Sequence, residues 1–194
     1  MDELKINKAT VIDCFNNASE ETKDALKHLF GEKVFEFDYT SIETFEDACK
    51  RRGISSVIPG VSTRDDYDKQ AMLSSLALYQ LLIIQDAIND GKPLDEDGDA
   101  WYPYWVLYSK EEIAEMGEDK RKANGIKLLS CVSAIYSEHA GVRGAAASNR
   151  GASTSTNYGF PLCFGSKEKA LYAGKQFESL YLQYYGLKLQ EGEK

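Results

Sequence analysis

The stretch from Asp66 to Asn89 constrains this chain more than any other, because its apolar residues leave almost no polar face on a helix. Met72, Leu76, Tyr79, Ile83 and Ala87 share one side at helical spacing, and Leu73, Leu81, Leu82, Ile84 and Ile88 widen it. A helix that is apolar nearly all round must be surrounded by other elements. The pattern therefore predicts a long central helix buried by the rest of the fold. Asp65 and Asp66 suit its positive N-terminal end, and Asn89-Asp90-Gly91 stops it. Its most apolar run, Leu76–Ile84, falls far short of the roughly 20 residues that span a bilayer. The leading MDELKINKAT lacks the apolar centre of a signal peptide. No membrane partner is expected.

Other elements group around that helix. Ser19 to Gly31 reads as a capped helix with Ala25, Leu26, Leu29 and Phe30 as its apolar stripe, and Thr22 stands where a capping box would want Glu. Val34–Tyr39 alternates as a short strand or extended linker does. Ser41 to Arg52 is a helix with Ile42, Phe45, Ala48 and Cys49 on one face. Tyr104–Tyr108 reads as a strand, aromatic and β-branched. Lys110–Met116 forms a helical turn, and Gly117–Gly125 a charged connection. Ile126–Tyr136 leans towards strand, and Tyr158–Phe164 is a second apolar strand. Gly141 to Thr156 consists almost wholly of Gly, Ala, Ser, Thr and Asn with two arginines, and so is expected to be an exposed loop. Ser166 caps a final helix over Lys167–Tyr185, with Ala170, Leu171, Gly174, Phe177, Leu180, Tyr181 and Tyr184 facing inward.

The expected fold class is α+β: a helical N-terminal half with the long central helix, a small antiparallel sheet, and a closing C-terminal helix. Residues 1–194 are read as a single domain, mainly helical over 1–91, strands and long loops over 92–165, and the C-terminal helix over 166–186. The tail Lys188–Lys194 is expected to fray unless a partner holds it.

With 43% hydrophobic and 28% charged residues, the chain is globular in composition rather than disordered. Its net charge of −8 is unevenly spread. From Lys120 to Lys175, nine bases face two acids, a net +7 that leaves −15 on the remainder. Such asymmetry marks either an anion-binding face or two parts that attract each other. Cys14, Cys49, Cys131 and Cys163 never approach a CxxC spacing, and His28 and His139 are the only histidines, so no zinc site is expected.

Three constellations carry possible chemistry. Asp95-Glu-Asp-Gly-Asp99 resembles a calcium loop, but Ala100 and Val106 stand where an EF-hand needs Gly and Glu, and a solvated acidic turn is the expectation. Trp101, Tyr102 and Trp105, with Tyr104 and Tyr108, could stack on bases or a sugar, or pack as an alternating strand. In Gly141–Gly151, Arg143, Ser148, Asn149 and Arg150 could cradle an anion or dock on a partner, without a Walker motif. His139 and Glu138 lie beside this stretch, but no nucleophile motif such as GxSxG accompanies them. Neither a metal nor another cofactor is expected.

Several blocks, in order, resemble a known family. They are Thr44-Phe-Glu-Asp-Ala-Cys49 with Gly53-Ile54, then Ala87–Gly91 with Trp101-Tyr-Pro-Tyr-Trp105, then Leu162-Cys-Phe164 with Ser166, Ala173-Gly-Lys-Gln-Phe177 and Leu180-Tyr181. Over roughly residues 20 to 185 the chain is similar to proteins encoded by phages and prophages of gut Bacteroides-type bacteria. Phe160-Pro161 departs from the Ser-Arg that precedes Leu-Cys-Phe in that family, and Lys110–Tyr158 departs throughout. The resemblance implies a phage setting and a compact fold, and lends no catalytic residue. The resulting expectation is a non-enzymatic phage binding protein, a virion or assembly accessory. It would contact other phage proteins or copies of itself, in the host cytoplasm or the virion. The alternative is an intracellular binder of nucleic acid or anionic nucleotides that counters host defence.

Overall fold

A computed structural model describes residues 6–58, 60, 66–94, 100–131, 137–149 and 162–193. The chain forms two compact units, the first ending at Asp38 and the second beginning at Tyr39. The first holds α1 (Lys8–Asn16) and α2 (Glu20–Phe30). The Asn7 side chain accepts from the Ala9 amide at 2.9 Å, and Ser19 Oγ from the Thr22 amide at 3.4 Å, so each helix begins on a polar cap. Val34–Tyr39 is not a strand. It follows a 3-10 turn, Glu32–Val34, and Phe35 turns back to stack on Phe15 with ring centroids 4.2 Å apart. Alternation without a neighbouring strand has no ladder to join, and aromatic stacking wins.

The second unit is α+β, as the sequence predicts. It contains α3 (Phe45–Arg52), α4 (Asp66–Ile88), β1 (Tyr102–Ser109), α5 (Lys110–Met116), α6 (Glu118–Ala123), β2 (Lys127–Cys131), β3 (His139–Ser148), α7 (Lys167–Gln176), α8 (Glu178–Tyr184) and β4 (Lys188–Leu189). The long helix is α4. Ala77, Leu81, Ile84, Ala87 and Ile88 are buried on the side that meets α3, α7 and α8. Its opposite side is less covered than expected: Met72, Leu73, Tyr79 and Leu82 are exposed. By length and composition, Lys69–Ile88 is long and apolar enough to cross a membrane, contrary to the reading of Leu76–Ile84 alone. The flanking residues extend the apolar segment past that short run.

The sheet has strand order β1-β3-β2-β4, antiparallel throughout. Gly141–Thr156, read as an exposed loop, is corrected as far as Ser148: residues 139–148 form β3, an interior strand between β1 and β2. The small residues are there because large neighbours fill the space beside them. A Cβ on Gly141 would lie 2.5 Å from the Ile113 side chain, and one on Gly144 2.3 Å from the Trp105 indole. The helix above shows the same fit, since a Cβ on Gly174 of α7 would lie 2.6 Å from the Ala145 Cβ and 2.7 Å from Pro103. Low apolar area in one strand is thus compensated by close backbone approach.

Three further expectations change. The charged connection is largely the helix α6, whose Arg121 is buried and donates to the Ile126 carbonyl at 2.7 Å. The closing helix is two helices, α7 and α8, interrupted at Phe177 (φ −111°, ψ 27°). The tail is held by the chain itself. β4 pairs with β2, the Gln190 amide donates to the Leu128 carbonyl at 2.9 Å, and Glu193 meets Arg121 at 2.9 Å. Leu182, Leu187 and Val142 close the core beneath the sheet, with Trp105, Leu107 and Leu129 packed on them. Of the Tyr158–Phe164 strand only Leu162–Phe164 are described, and Phe164 forms an isolated antiparallel bridge with Trp101. Asp95–Asp99, Val132–Tyr136 and Arg150–Thr156 lie outside the described residues.

Candidate functional site: a cationic cavity at the start of α7

Three segments converge at one end of the second unit. α4 stops at a buried Asn89, after which Asp90 (φ 62°) and Gly91 (φ 64°) turn the chain. Asn89 Nδ2 donates to the Cys163 carbonyl at 3.1 Å, and its Oδ1 accepts from the Gly165 amide at 3.3 Å. Gln85 also donates to the Cys163 carbonyl, at 2.8 Å. Trp101 and Phe164 exchange two backbone hydrogen bonds, of 2.9 and 2.7 Å. The end of α4, the approach to β1 and the entry to α7 are therefore tied together by buried polar contacts, which fix geometry.

Between these segments lies a cavity of about 570 Å³. Pro93, Leu94 and Trp101 give it an apolar wall, while Lys92, Lys167 and Lys169 give it three ammonium groups. Ser166 caps α7, its Oγ accepting from the Lys169 amide at 3.3 Å. The positive end of this ten-residue helix opens towards the cavity. Among the described residues Glu168 supplies the one carboxylate of the wall, and its pKa is lowered by its own backbone N–H and by the Ser166 hydroxyl.

Charge is concentrated here. Burial and the neighbouring Lys92 hold the Lys169 ammonium below its ordinary pKa, against the pull of Asp90. Lys167 Nζ lies 6.0 Å from the centroid of the Trp101 ring, and Lys169 Nζ 6.0 Å from that of Tyr39. Lys92 reaches Asp90 at 3.4 Å, a carboxylate that Arg51 also engages. Burial raises the Asp90 pKa, but these two cations outweigh it and leave it low. Among the described residues Lys167 and Lys169 form no ion pair. An arrangement of this kind can neutralise an anion by charge-assisted hydrogen bonds.

The basic stretch Lys120–Lys175 thus divides in two. Arg121, Lys122 and Lys127 pair with Glu193, Glu118 and Glu178, acids outside the stretch, so part of the asymmetry is internal attraction. Lys167 and Lys169 belong to the cavity.

The residues singled out in the sequence are scattered. Arg143 is exposed on β3 opposite Val106, Ser148 ends β3 opposite Tyr102, and Asn149 follows, half-buried. Arg150 lies outside the described residues. Arg143 is therefore fixed on a sheet rather than carried on a free loop. The aromatic group splits as well. Trp101 lines the cavity, and Tyr102 is half-buried in β1. Trp105 turns inward, its ring 4.9 Å from that of Tyr181 and 6.0 Å from that of Tyr185. Sequence reasoning missed Asn89, Lys92, Lys167 and Lys169 as a group. The Ser166 cap and the charge asymmetry were visible signals, but nothing local joins Lys92 to Lys167.

Among the described residues no cluster of three or more His, Cys, Asp or Glu side chains is placed to hold a metal ion. Comparisons with family models, with curated proteins and with solved structures find no match for this chain.

Proposed function

We propose that this protein acts by binding, and that its ligand is a phosphate-bearing anion seated in the cavity at the start of α7. The observation that carries this reading is the meeting of Lys92, Lys167 and Lys169 on one cavity, with Glu168 as the one carboxylate among its described lining residues. Like charges placed together raise the free energy of the empty site, and an anion relieves that repulsion. A calorimetric titration with inorganic pyrophosphate tests it. Wild-type protein should bind, more weakly as salt rises, and K167A/K169A should bind at least ten-fold more weakly. Absence of binding by the wild type, or equal binding by the variant, overturns the reading.

A second reading follows from the outer face of the sheet. Tyr104 and Val106 are exposed there, and Arg143 stands opposite Val106. An exposed aromatic and aliphatic pair beside an arginine has the make-up of a protein contact. It supports a virion or assembly accessory role in the phage setting that the family resemblance implies. Mass spectrometry of purified particles tests that role: stoichiometric copies support it, and absence from the particle refutes it.

A further inference from the structure

We infer that the cavity takes a free nucleoside phosphate, with Trp101 as the platform for its base. This rests on the anionic reading above and narrows it.

The cavity is too large and too mixed in character for a bare inorganic ion. Its volume of about 570 Å³ lies within the roughly 300–1,000 Å³ of small-molecule sites. Its lining mixes aromatic and aliphatic side chains, from Trp101, Pro93 and Leu94, with the three lysines. A ligand that satisfies both has a planar apolar part joined to a multiply charged part. The three lysines exceed what one carboxylate needs and suit a phosphoryl group or two.

Lys167 Nζ stands 6.0 Å from the Trp101 ring centroid, the outer limit of a cation–π contact. The ammonium and the indole both line the cavity, so an anionic and a planar apolar group of one ligand can meet them together. The Trp101 backbone is held by its two hydrogen bonds to Phe164, which fixes where the indole is attached at the cavity rim. A platform of one aromatic residue beside one cluster of cations serves one nucleotide. Single-stranded nucleic acid instead needs a groove that tracks a backbone past several stacking residues.

The test compares ligands that share their phosphates. ADP, GDP and UDP are titrated calorimetrically beside inorganic pyrophosphate and a twelve-residue oligothymidylate, against wild type, W101L and W101F. The expected result is that at least one nucleoside diphosphate binds about ten-fold tighter than pyrophosphate, the scale of one base stacked on one aromatic ring. W101L should erase that advantage, lowering nucleotide affinity about ten-fold more than pyrophosphate affinity, and W101F should keep most of it. If W101L fails to fold by circular dichroism, the wild-type ratio and W101F decide the matter. Equal affinity of nucleotides and pyrophosphate overturns the nucleotide inference and leaves the anionic reading standing. So does an equal loss for both ligands in W101L. Tighter binding of the oligonucleotide than of every nucleoside diphosphate also overturns it, in favour of a polymer. If neither pyrophosphate nor any nucleotide binds, both readings fall.

Discussion

The two ends of the α7–α8 pair face opposite environments. α7 begins on an open cavity lined by lysines and a polar cap, whereas α8 ends in aromatic packing with Trp105, Tyr181 and Tyr185. At the α7 end the side chains are charged, near solvent and easily replaced without disturbing a core. At the α8 end Tyr181, Leu182 and Leu187 are buried. The break at Phe177 lets one segment serve both, because α7 follows the sheet at Gly174 while α8 turns into the core. On the proposed anion reading, binding and stability fall at opposite ends of a short stretch of chain, and substitutions should separate them.

The largest effect belongs to the α8 end. Leu182→Ala removes a buried side chain that packs with Val142 and Leu187, and should cost about 2–5 kcal/mol in denaturant unfolding. Gly174→Ala drives a methyl group into Ala145 and Pro103 and should cost about 1–3 kcal/mol. A neutral result there would mean that α7 does not lie this close to the sheet. Tyr181→Phe should go the other way. The Tyr181 hydroxyl is buried without a hydrogen-bond partner among the described residues, so removing it should add about 1 kcal/mol of stability. The α7 end should be nearly silent: K167A/K169A should change stability by less than about 0.5 kcal/mol while abolishing most pyrophosphate binding. A large loss of stability in that variant would erase the contrast between the two ends.

The core also carries a pH signature. Burial pushes the Cys163 thiol up to about 11 from an ordinary 9.0. The folded state resists forming the thiolate that the unfolded chain forms readily, so this group leaves stability unchanged below about pH 9 and lowers it as pH rises towards 11. Thermal unfolding followed from pH 8 to 11 should show that decline in wild type and a shallower one in C163A. The acid side is governed by groups such as Asp90, whose lowered pKa makes its contribution fade as pH falls.

Much of this was legible in the sequence, for local reasons. Ser19, Ser166 and Gly31 mark helix ends because caps act within one turn. Thr44 and Asp47 close a capping box that the stretch from Ser41 only approximates. Tyr104–Tyr108 reads as a strand because its residues suit a pleated surface, and β1 contains it. β3 was not legible. Its Gly and Ala residues carry no strand signal of their own, and only Trp105, Ile113 and Gly174, supplied by other elements, make them fit. The interruption at Phe177 was hidden by continuous apolar periodicity across α7 and α8. The cavity was half legible. Trp101 stood out as an aromatic, and Lys167 and Lys169 contributed to the charge asymmetry. Lys92 joins them only because Asn89 anchors the end of α4 to Cys163 and Gly165.

The proposed anion site lies at the start of α7 and not on the sheet. Amide and indole NMR shifts during titration of ¹⁵N-labelled protein with pyrophosphate test it most directly. The expected shifts gather on Gly165–Lys169, Asn89–Leu94 and the Trp101 indole, and the Arg143–Ser148 amides stay still. Shifts centred on Arg143 and Ser148, or no shift at saturating pyrophosphate, would contradict the account.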